Sequence, residues 1–118
     1  MMKGVINGNT PSTTITVKGV TAANSAITLP PNSIIDLITI ESTNANAITG
    51  GLKFGTGSGL LDIVAAQAVA GSSLVVVADA AILKRYFSTT ASQQIFFDAV
   101  TAWNSANVNV RVMYIQFS

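Results

Sequence analysis

The chain has 118 residues, enough for one domain with one core and too few for two. Charged residues make up only 9 % of it and apolar residues 49 %, where ordinary soluble domains carry roughly 25 % charge. Charge therefore does not cover the surface of a monomer: either Ser, Thr and Asn do so, or part of the surface is buried against other chains. The net charge of +1, with Lys84-Arg85 the single adjacent basic pair, argues against an electrostatic nucleic-acid binder, which needs a basic stripe.

Cysteine and histidine are both absent, which removes disulfides, thiol chemistry and the commonest metal ligands. The N-terminus, MMKGVINGNTPSTT, lacks an apolar core of signal-peptide length, and no apolar run approaches the ~20 residues of a membrane helix. The expectation is a soluble protein, made in a cytoplasm without an export signal, that engages neither nucleic acid nor membrane.

In chain order, residues 1–12 are rich in Gly, Asn and Thr and read as a flexible arm ahead of a single domain over residues 13–118. Thr13 to Lys18 alternates Ile15 and Val17 against Thr and Lys, a half-buried strand. Ser25 to Leu29 is a short strand, stopped by Pro30-Pro31, each of which fixes φ and lacks an N–H. Asn32 and Ser33 complete the turn. From Ser33 to Ser42 the β-branched run SIIDLITIES predicts a central strand, apolar on both faces and therefore covered on both.

Ser42 to Asn46 is a polar loop, and Ile48 to Gly55 a strand whose Gly50-Gly51 marks a bulge or a close backbone approach. Gly55 to Gly59 is a turn, and Leu60 to Val64 a strand fragment. The Ala-rich stretch from Ala65 to Gly71 suits a helical turn or a loop. Ser72 to Ala78 is a strand, and Asp79 to Leu83 one helical turn with Asp79 as N-cap. Tyr86 to Ser88 closes that segment, Thr89 to Ser92 is a loop, and Gln93 to Val100 is a strand. The last strand, Val108 to Phe117, follows the loop TAWNSAN.

About eight strands with turn signals every 8–12 residues predict an antiparallel β-sandwich, jelly-roll-like. Period-2 spacing puts Ile34, Ile38, Ile40, Leu52, Phe54, Val76, Phe97, Val110 and Val112 in its core. The same spacing turns Leu37, Met113, Ile115 and Phe117 outward, and these four are the candidate oligomer interface.

Catalytic constellations are sparse. The glycines of Gly55 to Gly59 imitate a phosphate loop, but Leu60-Leu61 follows where a P-loop needs Lys-Ser/Thr opening a helix. The carboxylates Asp36, Glu41, Asp62, Asp79 and Asp98 sit singly on different segments. Each reads as a solvated, capping or interfacial residue. Asp36 interrupts the central strand, and if buried it needs a partner such as Lys53. A Ser nucleophile without His needs a Lys base, and no Ser-Lys pair stands out. The reading is therefore not an enzyme, with no catalytic, cofactor-binding or metal residues and no cofactor. Trp103, in a polar loop, is a possible surface-contact aromatic for a sugar or a protein; the competing reading folds it back over the end of the sandwich. In Tyr86-Phe87 and Phe96-Phe97 one ring of each pair is expected in the core and the other outside.

The segments ITLPPNSIIDLITIESTNA, ITGGLKFGTGSG and FSTTASQQIFFDAV, over Ile27 to Phe117, resemble small β-sandwich proteins and domains of tailed-phage virions. That resemblance is one of turns and apolar spacing and carries no active site. It implies a jelly-roll-like structural protein of the virion, a capsid decoration or head-fibre-type protein. It further implies a homotrimer as the favoured state, with partners such as the major capsid protein. The alternative is a carbohydrate- or receptor-binding module of a tail fibre, with Trp103, Tyr86 and Tyr114 as the aromatics available to a glycan.

Overall fold

The computed structural model describes residues 12–87 and 90–117. The expected arm lies outside these residues except for Ser12, as do Ser88, expected to close the preceding segment, and Thr89 of the expected loop. Among the described residues are nine strands, one 3₁₀ turn and no α-helix. The strands are β1 (Thr13–Val20), β2 (Asn24–Leu29), β3 (Ser33–Ser42), β4 (Ile48–Gly55), β5 (Val64–Val69), β6 (Leu74–Val76), β7 (Tyr86–Phe87), β8 (Gln93–Ala99) and β9 (Val108–Gln116). They form two antiparallel sheets. Sheet A has the order β1-β9-β3-β6, with β7 also on β3, and sheet B the order β2-β8-β4-β5.

The pairing is nested: β4 with β5, β3 with β6 and β7, β2 with β8, β1 with β9. The chain thus behaves as one long hairpin rolled up on itself, which is the jelly-roll-like sandwich the turn spacing predicts. The hairpin tip is the Gly55–Gly59 turn. There Leu60 N–H donates to Gly57 O and Ile63 N–H to Phe54 O, at 3.1 and 3.0 Å. The Asp62 carboxylate accepts from the Thr56 amide and hydroxyl at 2.9 and 2.7 Å. Partial burial pushes the Asp62 carboxyl up, but the Thr56 bonds outweigh it and hold it below its ordinary value.

At the other turn singled out by the sequence, Pro30-Pro31 ends β2 and Asn32 takes a left-handed φ of 59°. Asn tolerates that region because its short polar side chain bonds locally. Ser33 Oγ donates to Pro30 O at 2.6 Å and closes the turn, which carries the chain from sheet B to sheet A.

The core lies between the sheets. Ile35, Ile38, Ile40, Val108, Val110 and Val112 reach it from sheet A, and Ile27, Leu29, Leu52, Phe54, Ile95 and Phe97 from sheet B. Phe54 and Phe97 face each other across β4 and β8, their rings stacked at 5.4 Å between centroids.

Two expected core residues are not in it. Val76 is 55 % exposed, because within the Val75-Val76-Val77 run it is Val75 that lies opposite the buried Ile40. Three consecutive valines hide the phase of the alternation. Ile34 is only half-buried, because the register of β3 against β9 shifts between Ile35 and Leu37. A bulge there adds one residue and reverses the faces before it. Ile35 is buried in place of Ile34, and Asp36 stands at the bulge, exposed. Lys53 is not on a strand next to Asp36: it lies in sheet B, opposite Asp98 on β8.

The Ala-rich stretch is neither helix nor loop but β5, pairing with β4. Gly51 explains the fit. Its φ is +86°, and a Cβ on it would stand 2.6 Å from Gln67 O, so the two backbones approach as only glycine allows. Leu60 to Ile63 lies outside any strand. The single helical turn is a 3₁₀ turn, Asp79–Ala81, whose N-cap is Ala78 without a side-chain bond. Asp79 sits inside it and accepts from Arg85 Nη2 at 2.7 Å instead.

Candidate interaction face

The outer face of sheet A is built from the alternate residues that the core does not take. Leu37 lies opposite Met113, and Ile34 lies opposite Ile115 on one side and Tyr86 on the other. Phe117 N–H donates to Asn32 O at 2.8 Å, which holds Phe117 beside the β2–β3 turn. Its ring meets Tyr86 edge-on at 6.4 Å between centroids. The four residues marked by the sequence, Leu37, Met113, Ile115 and Phe117, thus fall on one face. Ile34 and Tyr86 join them: the bulge turns Ile34 outward, and Tyr86 stands outside while Phe87 is buried. The rule of one ring in and one out also holds at β8, where Phe97 is buried and Phe96 half-buried.

Toward the other end the same face turns polar. Thr16, Arg111 and Thr39 stand side by side across three strands. Glu41 accepts from Asn109 Nδ2 and from Arg111 Nη2, both at 3.2 Å. These two bonds, Asn109 first, hold the Glu41 carboxyl below its ordinary value. The pair is partly open to solvent, so it orients the face more than it stabilises the fold. Beyond it the edge strand β6 restores apolar character, with Leu74 opposite Glu41 and Val76 opposite Thr39.

Arg85 positions this surface. Its Nη1 donates to Ile35 O at 2.6 Å and to Asp36 O at 3.2 Å, while Arg85 O accepts from Ile35 N–H at 2.9 Å. Neither β6 nor β7 pairs with Ile35 or Asp36, and a guanidinium with its fan of donors reaches both carbonyls at once. Asp79 holds the far side of the guanidinium. Arg85→Ala is expected to lose about 2 kcal/mol, since it strips charge-assisted bonds from two carbonyls, that of Ile35 partly buried and that of Asp36 exposed. Urea unfolding measures the loss, and a change under 0.5 kcal/mol would show that the bulge stands without it.

Trp103 is half-buried and packs against the core. Its Nε1–H donates to Asp98 Oδ1 at 2.7 Å, and the same oxygen accepts from Ala99 N–H at 2.8 Å. The polar loops at this end bind each other: Thr43 Oγ1 donates to the Asn107 carbonyl, and Asn44 and Asn46 both donate to Ser105 O. Among the described residues no group of three or more His, Cys, Asp or Glu comes together, and no helix is long and apolar enough to cross a membrane.

No protein-family model matches the chain, and no curated protein does. Among solved structures it is similar to a chain described as "Cyanophage Pam1 capsid asymmetric unit", at 17 % sequence identity and a TM-score of 0.49, over 99 % of this chain and 94 % of that one.

Proposed function

We propose that this chain is a non-enzymatic structural protein of a tailed-phage virion. It self-associates, as a trimer by preference, and attaches to the particle surface as a capsid decoration or head-fibre-type protein. The observation that carries self-association is the apolar end of the outer face of sheet A: Ile34, Leu37, Tyr86, Met113, Ile115 and Phe117 on one contiguous surface. A monomer rarely leaves such a patch in water. Burying it against further copies gains about 25 cal/mol per Å² of apolar area. The virion setting and the number three rest on the resemblance of the segments from Ile27 to Phe117; a dimer would satisfy the burial argument equally.

The apolar face fits a partner surface as its ligand. The alternative reading, a carbohydrate- or receptor-binding module, draws on aromatic side chains, and Tyr86 is one of them at 53 % exposure. A glycan array separates the two readings.

Sedimentation equilibrium at low micromolar concentration tests the proposal. The wild-type chain is expected as an oligomer, and the Leu37→Lys/Ile115→Lys variant as a folded monomer with an unchanged circular-dichroism spectrum. A wild-type chain that stays monomeric would sink the reading.

A further inference from the structure

Every open β-sandwich has edges, and an edge strand offers unpaired N–H and C=O groups to other chains unless charge, proline or covering side chains block it. On one flank of this molecule the edges are β1 and β2. There β1 carries Lys18, and Gly19 N–H donates to the Asn109 side chain at 3.0 Å. On β2, Ala26 N–H is taken by Asn24 Oδ1 and Ser25 O by Gln94 Nε2, each at 2.8 Å. The opposite flank is formed by β5, β6 and the short β7, and from Ile63 to Ala78, which spans β5 and β6, the sequence carries no charged residue.

Of these two strands β6 is the regular one. Its pairs with β3 run without a shift: Leu74 with Glu41, Val75 with Ile40, Val76 with Thr39. Just beyond its ends, Ser42 N–H donates to Ser73 O and Val77 N–H to Ile38 O. Hydrogen-bonded and non-hydrogen-bonded pairs alternate along an antiparallel ladder. Residues 73, 75 and 77 therefore spend their backbone groups on β3, and those of Leu74 and Val76 point away from the sheet. The side chains of the same two residues are 64 % and 55 % exposed, among the most exposed large apolar side chains described. A bare backbone edge and bare apolar side chains coincide on one short strand.

We infer that β6 pairs antiparallel with β6 of a second copy across a twofold axis. Leu74 then lies opposite the partner's Val76, and Val75 opposite the partner's Val75. Three constraints select this register. Only a symmetric pairing with Val75 on the axis brings the outward groups of Leu74 onto those of Val76, giving four backbone hydrogen bonds. It also sets outer-face residue against outer-face residue, as the pleat demands. No charge on the strand meets its own copy, because the strand has none. The result is one continuous sheet, β1-β9-β3-β6 followed by its mirror order in the partner. This contact lies at the opposite end of β3 from the Ile34, Leu37 and Tyr86 surface, so it is a second interface and does not depend on the first. Three residues bury far less than the roughly 800 Å² per partner of a standard interface. Alone the link is weak, and it serves to join units already held together.

Trapping suits a weak contact, and a chain without cysteine offers a clean background. Directly opposite residues of a non-hydrogen-bonded pair have Cα atoms about 4.5 Å apart, inside the range a disulfide spans. Val75→Cys is expected to give a covalent dimer under mild oxidation. Leu74→Cys, more exposed but displaced from its own copy, is expected to cross-link at least ten times more slowly. Random collision reverses that order, so equal or faster trapping of Leu74→Cys overturns the inference, as does a Val75→Cys thiol that stays free while the variant melts like wild type. Repeating the experiment in the Leu37→Lys/Ile115→Lys background separates the two interfaces. Trapping is expected to persist there, and its loss would show that β6 pairing is only a consequence of the other contact.

Discussion

Ile38→Asp is expected to leave the chain unfolded. Ile38 is 1 % exposed, lies opposite Val112 on the central pair of sheet A, and faces the core from the strand around which the sandwich is assembled. A carboxylate there has no cation within the core. It must either stay charged in an apolar medium or take up a proton, and either costs several kcal/mol. Against a total stability of about 5–15 kcal/mol, the loss of packing adds a further 2–5 kcal/mol. The measurement is circular dichroism with a thermal melt. A soluble variant with a cooperative transition would show that Ile38 does not face the core.

The second large effect is expected from Phe97→Ala. Phe97 is 2 % exposed and stacks on the fully buried Phe54 across the β4–β8 pair. Truncating a buried phenylalanine costs about 3–5 kcal/mol, part of it for the cavity left behind. For a domain of this size that lowers Tm by on the order of 15 °C. Differential scanning calorimetry reads the shift directly, and a fall of less than about 5 °C would mean that the neighbouring side chains close the gap. Sheet A itself separates its outer face from this stack, so the proposed association is expected to persist at a temperature where the variant is folded.

How much of this was legible beforehand differs from strand to strand. β3 and β4 begin and end where prolines, glycines and the polar loop say they should, because those residues forbid or demand particular backbone angles. The alternation of β9 separates Val108, Val110 and Val112 from Met113 and Ile115 without ambiguity. β5 was hidden because alanine favours helix and is depleted in strands, and what decides is Gly51 on another strand. The bulge in β3 was hidden because isoleucine stands on both sides of it: moving one position leaves an equally apolar pattern. Its partner is Arg85, fifty positions away, which no local spacing reveals. The outward positions of sheet A were therefore legible at Leu37, Met113 and Ile115, but not at Ile34.

The nested pairing has a consequence for how the molecule comes into being. β9 lies between β1 and β3, so the middle of sheet A is supplied by a strand made after the other eight described strands. Until Val108–Gln116 has left the ribosome, β1 has no neighbour and β3 lacks one side, and Met113 and Ile115 do not yet exist to complete the apolar surface. Contacts between such distant parts of a chain form slowly, in milliseconds to seconds. That surface is thus incomplete until Val108–Gln116 has emerged, and a chain without this strand is not competent for the proposed association.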